Sequence, residues 1–168
     1  MLIVFGGLPG TGKTTIAREL ARQIGAVHVR IDSIEYALDQ SGRLKDGMED
    51  AGYRAAYAVA EDNLRLGLSV VADSVNPLPI TRHAWRDVAR RTDSAIAEIE
   101  VVCSDAVEHR RRVETRPPDF PGWTLAWQAV VDRDYRPWDR EPIVLDTARA
   151  SPGESVTRLR ELIVGQSG

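Results

Sequence analysis

Gly7-Leu8-Pro9-Gly10-Thr11-Gly12-Lys13-Thr14 is the stretch that decides the fold of this chain. It fits G-x-x-x-x-G-K-[ST], the pattern of a loop that cradles phosphate groups. Gly7, Gly10 and Gly12 permit backbone angles that clash for other residues, and they let the main chain come close to a ligand. Successive N–H groups then point inward as an anion-binding nest. The helix that follows adds the partial positive charge of its N-terminus. From such a loop Lys13 reaches the β- and γ-phosphates of a nucleotide, and the Thr14 hydroxyl suits a hard Mg²⁺ ion. Thr11 and Thr15 belong to the same phosphate-facing stretch.

The flanks supply the context the loop needs. Leu2-Ile3-Val4-Phe5 is an apolar run of the kind that forms a strand buried on both faces. After the loop, Ile16, Leu20 and Ile24 recur every four residues, with Arg18, Glu19, Arg22 and Gln23 between them. This predicts an amphipathic helix of about three turns. Lys13 and Lys45 are the only lysines among 22 Lys and Arg residues. In so lysine-poor a chain, a lysine at this position of the motif is hard to attribute to chance.

Further along, strands and helices alternate. Ala26–Ile31 reads as a second strand ending in Asp32-Ser33, then a helix through Leu38 that breaks near Ser41-Gly42. Residues 46–52 read as a connection. Tyr53, Ala56, Tyr57, Ala60 and Leu64 have helical spacing, and Gly67 closes that helix. Strands are predicted over 68–72, 96–103 and 142–145. Helices are predicted from Pro79, over 105–115, over 123–134 and over 154–164, while Pro117, Pro118 and Pro121 force a loop. Five apolar strands alternating with helices predict an α/β fold: a doubly wound, mostly parallel five-stranded sheet with helices on both faces. A single domain over residues 1–168 is expected, with a small lid at about 105–122.

Ligands of such sheets bind beyond the C-terminal ends of the strands. Asp32, Asp73, Asp105 and Asp146-Thr147 all fall there, on the same edge as the glycine loop. Aspartate is also a good helix N-cap, and that reading stays open for Asp105 and Asp146. For Asp32 and Asp73 a functional reading is preferred, because phosphoryl transfer needs a metal-side acid and usually a base.

Composition narrows the partners. A net charge of −3 over 168 residues gives no global attraction to nucleic acid or anionic membrane. Cys103 is the one cysteine, and His28, His83 and His109 lack zinc-ligand spacing. No apolar run approaches membrane length, and a strand starting at Leu2 leaves no room for a leader, so a cytoplasmic protein without a membrane partner is expected. Nothing indicates an oligomeric state.

Four segments together resemble the P-loop kinase family that contains polynucleotide kinases, zeta-toxin-like kinases and small-molecule kinases such as those for gluconate and chloramphenicol. They are the loop Gly7 to Thr15, the strand end Ile31-Asp32, the stretch Val70-Val71-Ala72-Asp73-Ser74-Val75-Asn76 and the basic segment His109 to Arg116. Phage-type polynucleotide kinases are similar in carrying Asp-Thr-Asn after the third strand, against Asp73-Ser74 and, one position later, Asn76 here. The resemblance implies an ATP-dependent kinase with ATP and Mg²⁺ as cofactors. It implies that Asp32 accepts the proton of the attacking hydroxyl and that Asp73 lies near Mg²⁺ and the substrate. It implies that Arg112 and Arg116 are lid arginines reaching the transferring phosphoryl group, and that Asp146-Thr147-Ala148 lines the adenine pocket. Which of Asp32 and Asp73 is base and which is metal-side stays open.

Helical spacing independently puts Arg112 and Arg116 on one face. Arg110 and Arg111 diverge from them and read as a solvated face; Ala106 and Val113 mark the expected buried side. Lys13 is expected to point its cation at solvent rather than core. The acceptor pocket is expected between Asp32, the helix carrying Tyr53 and Tyr57, and the proline loop with Trp123 and Trp127. One departure matters. Polynucleotide kinases place an arginine three residues after the base, to grip the acceptor phosphate, and Glu35 stands there. A carboxylate repels a nucleic-acid phosphate. The expected reaction therefore moves the γ-phosphoryl of Mg·ATP to a small-molecule alcohol. A polynucleotide 5′-hydroxyl kinase and a nucleotide-dependent binding or assembly module are the alternatives. A guanine-nucleotide switch is excluded, since neither asparagine, Asn63 or Asn76, precedes a lysine.

Overall fold

The computed structural model describes residues 1–42 and 50–165. Five strands, β1 (Leu2–Gly6), β2 (Val27–Arg30), β3 (Val70–Asp73), β4 (Ile96–Val102) and β5 (Ile143–Asp146), form one sheet in the order β2-β3-β1-β4-β5. Every neighbouring pair is parallel, so the sheet expected to be mostly parallel is parallel throughout. The helices are α1 (Lys13–Ile24), α2 (Ile31–Gln40), α3 (Ala51–Arg65), α4 (Pro79–Arg91), α5 (Ala106–Thr115), α6 (Trp127–Val131) and α7 (Pro152–Gly165). None is long and apolar enough to cross a membrane among the described residues.

β1 lies at the centre, and its pleat builds the layers. Successive side chains of a strand point to opposite faces. Ile3 and Phe5 join Val71, Ile99, Val101 and Leu145 in a core closed by Ile16, Ala17 and Leu20 of α1 and Val156 and Leu159 of α7. Leu2 and Val4 join Val70 and Ala72 on the other face, under Ala56, Ala60 and Leu64 of α3 and Trp85 and Val88 of α4. A continuous apolar run is what a central strand needs, since neither face meets water. Each such side chain contributes about 1.5–3 kcal/mol on burial.

Several elements depart from the predicted bounds, two of them in ways that bear on the site. β2 stops at Arg30, and Ile31 opens α2 with no intervening turn, so Asp32 sits in the first turn of that helix. A carboxylate there complements the helix dipole. α6 covers only Trp127–Val131 of the helix expected over 123–134, with Val130 its one buried side chain. α3 already includes Ala51 and Gly52; the rest of the connection expected at 46–52, and Lys45, lie outside the described residues except for Asp50.

Asn76, just past β3, holds the sheet end together. It is fully buried at φ 47°, a left-handed conformation that asparagine tolerates. Its Nδ2 donates to the Phe5 carbonyl at 2.7 Å, its Oδ1 accepts from Trp85 Nε1 at 3.2 Å, and its backbone N–H donates to the Tyr53 hydroxyl at 3.1 Å. Its carbonyl accepts from Arg82 Nε at 2.9 Å. Arg82 is fully buried with carbonyls in place of a carboxylate: Pro77, Arg136 and Pro137 accept its remaining donors. The Tyr135 and Trp138 rings flank its guanidinium at 5.2 and 4.4 Å. Trp138 in turn covers Gly6, where a Cβ would come within 2.6 Å of the indole.

Asn76→Ala is expected to lower stability by about 2–4 kcal/mol, because it strands buried polar groups and puts a Cβ-only residue at positive φ. Urea unfolding measures this. Asn76→Gly should recover only the backbone part of the loss, and a wild-type midpoint for Asn76→Ala would remove the residue from this role.

Candidate active site

The glycine loop takes the form the motif demands. Gly7, Gly10 and Gly12 have φ of 131°, 84° and 95°. A Cβ on Gly7 would stand 2.1 Å from the Val101 carbonyl oxygen, and one on Gly10 would stand 2.4 Å from Val113 Cγ2. The Gly7 N–H donates to the Val75 carbonyl at 3.0 Å, which ties the loop to the end of β3. Thr11 Oγ1 and Lys13 Nζ both donate to the Leu8 carbonyl, at 2.8 and 3.0 Å. Lys13 is 7% exposed, not solvent-facing as the sequence suggested. It is the first residue of α1, so its side chain folds back under the loop and takes a loop carbonyl as acceptor. Burial lowers the pKa of its ammonium; the nearby Asp73 and Asp32 oppose that shift.

Asp73 ends β3 next to this cation and is nearly inaccessible. Burial works against its ionisation, but the His28 ring, the Lys13 ammonium and the Thr14 hydroxyl outweigh it and keep the carboxyl below its ordinary pKa. His28 Nε2 lies 3.4 Å from Asp73 Oδ2, yet neither atom makes an aligned hydrogen bond. A buried, ionised oxygen without a donor, beside a hydroxyl, fits a hard divalent cation such as Mg²⁺. That ion keeps several waters and takes phosphate oxygens rather than an all-protein cage. Consistently, no cluster of three or more His, Cys, Asp or Glu is present among the described residues.

Asp32 faces the same cleft from α2 with its side chain 42% exposed. One turn on, Glu35 packs against Gly52, whose absent Cβ would lie 2.3 Å from Glu35 Cγ. Burial, with Asp32 adding repulsion, pushes the Glu35 carboxyl up to about 7. It is therefore about half protonated at neutral pH and is less repulsive to an anion than its residue type suggests. Tyr53 also lines the cleft, with its hydroxyl pushed up to about 12 by burial. Tyr57 does not: it packs edge-on to Trp85 and donates to the Thr81 carbonyl.

The segment expected to be a lid, residues 105–122, borders the cleft through Arg112, Arg116, Pro117, Asp119 and Phe120. Asp105 caps α5 by accepting from the Val107 and Glu108 N–H groups, so the N-cap reading holds for it. The buried side of α5 is His109 and Val113; Ala106 is exposed, because this face packs against Pro9 and Gly10 of the loop rather than against the sheet. His109 Nε2 lies 2.8 Å from the Pro9 carbonyl, and Trp127 packs edge-on to its ring. Arg110 and Arg111 are 60% exposed and pair with Glu114 and Glu108.

Arg112 and Arg116 both line the cleft but are engaged differently. Arg112 donates to the Thr147 hydroxyl at 2.8 Å and to its carbonyl at 3.1 Å. Arg116 is the C-cap, with extended backbone, so the four-residue spacing does not carry the two guanidinium groups to one place. Arg116 pairs instead with Asp119 at 2.9 Å. Asp119 also pairs with Arg30, which reaches Asp32 at 3.2 Å and lies over the Phe120 ring at 5.2 Å. Phe120 stacks on Tyr36 with 4.6 Å between centroids, and Trp123 meets both rings edge-on.

Thr147 is buried and donates to the Thr11 carbonyl at 2.8 Å. With Gly12, Thr15, Arg112 and residues 148–152 it lines a second cleft that adjoins the loop. Asp146 turns its carboxylate to the Ser104 N–H and hydroxyl and to the Ala148 N–H. Its part is to shape the turn that presents Thr147.

Sequence reasoning did not single out Arg30, Phe120 or Arg133, nor His109 by itself as a contact. Arg30 carried a signal, a charge closing a strand that had to be buried. Phe120 was the one aromatic between the lid prolines. Arg133 offered none.

A parallel sheet in this order, with a glycine loop between its central strand and α1, defines a P-loop nucleotide-binding protein of kinase-like fold. The chain belongs to the family described as AAA domain, whose model matches residues 2–130. It is 34% identical to Uncharacterized protein Rv2004c of Mycobacterium tuberculosis across 64% of this chain and 24% of that protein, so it spans about a quarter of that relative. Among solved structures it is similar to the Mycobacterium tuberculosis APS kinase CysC in complex with AMPPNP and APS, at TM-score 0.73 and 20% identity over 96% of both chains. It is also similar to a gluconokinase from Sinorhizobium meliloti, at TM-score 0.64 and 17% identity over 99% of this chain and 97% of that one. These two likenesses are of fold.

Lys13→Ala is expected to abolish Mg·ATP binding, read by calorimetry, while the circular dichroism spectrum stays that of the wild type. Undiminished ATP affinity in that variant would remove the loop from the site.

Proposed function

We propose that this chain is an ATP-dependent phosphotransferase that moves the γ-phosphoryl group of Mg·ATP to the alcohol group of a small molecule. One observation carries the reading. A single cleft of about 750 Å³ has Gly10, Gly12, Lys13, Thr14 and Thr15 with Asp73 on one side, and Asp32, Glu35, Tyr53, Phe120 and Trp123 on the other. A site that only binds nucleotide has no need of a second, carboxylate-bearing half, and the aromatic walls beside Asp32 suit an organic acceptor better than water. The kinase-like fold supports the same reading.

Phosphoryl transfer asks mainly for positioning and charge neutralisation. The loop N–H groups and Lys13 hold the β- and γ-phosphates. Thr14 and Asp73 hold Mg²⁺, which when bound neutralises charge on the β- and γ-oxygens. The Thr147 side of the loop takes the nucleoside, with Arg112 at its border. Asp32, partly exposed to the cleft, orients the acceptor hydroxyl and takes its proton. Glu35, near the midpoint of its titration, both donates to and accepts from acceptor hydroxyls. Arg116 meets the transferring group once Asp119 releases it. The proline loop, stacked through Phe120 and Trp123 onto Tyr36, walls the acceptor half with aromatic rings, and no arginine stands at position 35 to grip a polynucleotide phosphate, which favours a small acceptor.

Asp32→Asn is expected to slow transfer by about 10²–10⁴-fold, the usual contribution of a positioned general base, with ATP affinity little changed. Single-turnover transfer and ATP dissociation constants test this together. A collapse of ATP affinity would instead exchange the roles of Asp32 and Asp73. Arg116→Ala should reduce kcat far more than ATP affinity, because the arginine meets charge that develops in the closed state. Arg110→Ala should be nearly silent in both; a larger defect in Arg110→Ala than in Arg116→Ala would overturn the placement of the lid.

A further inference from the structure

The acceptor half of the cleft contains a cation whose 3.2 Å contact with Asp32 accounts for only part of its donors. Arg30 ends β2 with its side chain only 10% exposed, and its guanidinium is turned toward the lid loop. The edge formed by Nε–H and Nη2–H is a pair of parallel donors, the geometry that grips a carboxylate or phosphate in bidentate fashion. Here that edge is half used. Nη2 donates to Asp119 and, at 3.2 Å, to Asp32, while Nε is buried without an acceptor. A buried donor left unpaired is costly, and its persistence marks a partner that fits imperfectly.

That partner comes from the proline-rich loop. Asp119 stands two residues before Pro121 and directly after Pro117-Pro118, in a stretch with few backbone donors to anchor it. It is 36% exposed and also holds Arg116 at 2.9 Å. Two arginines of the cleft therefore converge on one carboxylate that the lid itself supplies. The Phe120 ring lies beneath the Arg30 guanidinium, so the same spot offers a flat apolar wall beside a cation.

We propose that Arg30 is the anion-binding residue of the acceptor site, that Asp119 occupies this subsite until acceptor arrives, and that the acceptor is an alcohol carrying a carboxylate or phosphate group. This rests on the phosphotransferase reading above and names the substrate class for it. An oxyanion free to orient fills both the Nε and Nη2 donors, which Asp119 does not. Its arrival displaces Asp119 and thereby frees Arg116 for the transferring phosphoryl group. Acceptor recognition and the assembly of the catalytic arginine are then one event.

The experiment uses the whole chain with the loop saturated by a non-hydrolysable ATP analogue. Calorimetry measures the affinity of matched probes: glycerol, glycerate and glycerol 3-phosphate; glucose, gluconate and glucose 6-phosphate. In at least one series the acid should bind about tenfold or more tighter than its neutral counterpart, and the better of carboxylate and phosphate identifies the anion. Asp119→Asn should tighten the acid by several-fold and leave the neutral alcohol unchanged, because only the acid competes with that carboxylate. Arg30→Gln should erase the preference. Arg30 is mostly buried, so Arg30→Lys and retained binding of the ATP analogue check that the fold survives. Equal affinity for acids and neutral alcohols in the wild type, or weaker acid binding in Asp119→Asn, overturns the proposal. Transfer of phosphate from ATP to neutral alcohols in preference to acids likewise overturns it and leaves the phosphotransferase reading standing. Binding of ATP with no transfer to any alcohol, acidic or neutral, defeats that reading, and this proposal with it.

Discussion

Gly7 packs directly against the carbonyl of Val101. A Cβ at Gly7 would meet that oxygen at 2.1 Å, a separation that no real Cβ atom adopts. The phosphate loop leaves the sheet directly against the backbone of β4, and this sets where everything after it stands. Thr11 and Lys13 converge on the Leu8 carbonyl because the chain turns there. α1 then begins with its N-terminus aimed into the cleft, and Asp73, at the end of the neighbouring strand, faces the same cation. Substitution at Gly7 would disturb the site by moving a strand, not only by filling a loop.

The electrostatics of the site run against those of the chain. The whole molecule carries −3, which argues against attraction of anions. The cleft nevertheless gathers Lys13, Arg18, Arg30, Arg112, Arg116 and Arg133 around Asp32, Glu35, Asp73 and Asp119, and Glu35 is only partly ionised at neutral pH. Low-dielectric walls focus such a local excess. The cleft is thus a local excess of positive charge on a chain of net negative charge.

Much of this was legible in the chain. The order of elements followed from apolar runs alternating with helical spacing, since a parallel sheet covered on both faces leaves that pattern and few others. The glycine loop and the placement of Asp32 and Asp73 at one edge of the sheet could be read from the order of elements, although Asp32 falls in the first turn of α2 rather than at a strand end. What escaped depended on tertiary contacts. The separation of Arg112 from Arg116 could not be read from a spacing of four, because Arg116 leaves the helix and its backbone turns extended. The protonation of Glu35 depends on Gly52, seventeen positions away along the chain, letting α3 come close enough to desolvate it. Arg30 looked like a strand residue and became a cleft residue only when Asp119 and Phe120 folded over it. Asp146 resembled a ligand-facing acid because a turn-shaping aspartate and a binding one occupy the same place in the sequence.

The bond between His109 and the Pro9 carbonyl restricts how the roof of the cleft can travel. α5 is pinned to the phosphate loop at one end of its buried stripe, and Val113 wedges against Gly10 one turn later. On the opposite wall, Arg82 clamps residues 136 and 137 by their carbonyls. Between these two fixtures the chain from about Thr115 to the start of α6 is held through side chains, Asp119 on Arg30 and Arg116 and the rings of Phe120 and Trp123 on Tyr36. Any opening of the roof must part those contacts, as in an arch that yields at its crown, while the helix that bears Arg112 remains part of the abutment.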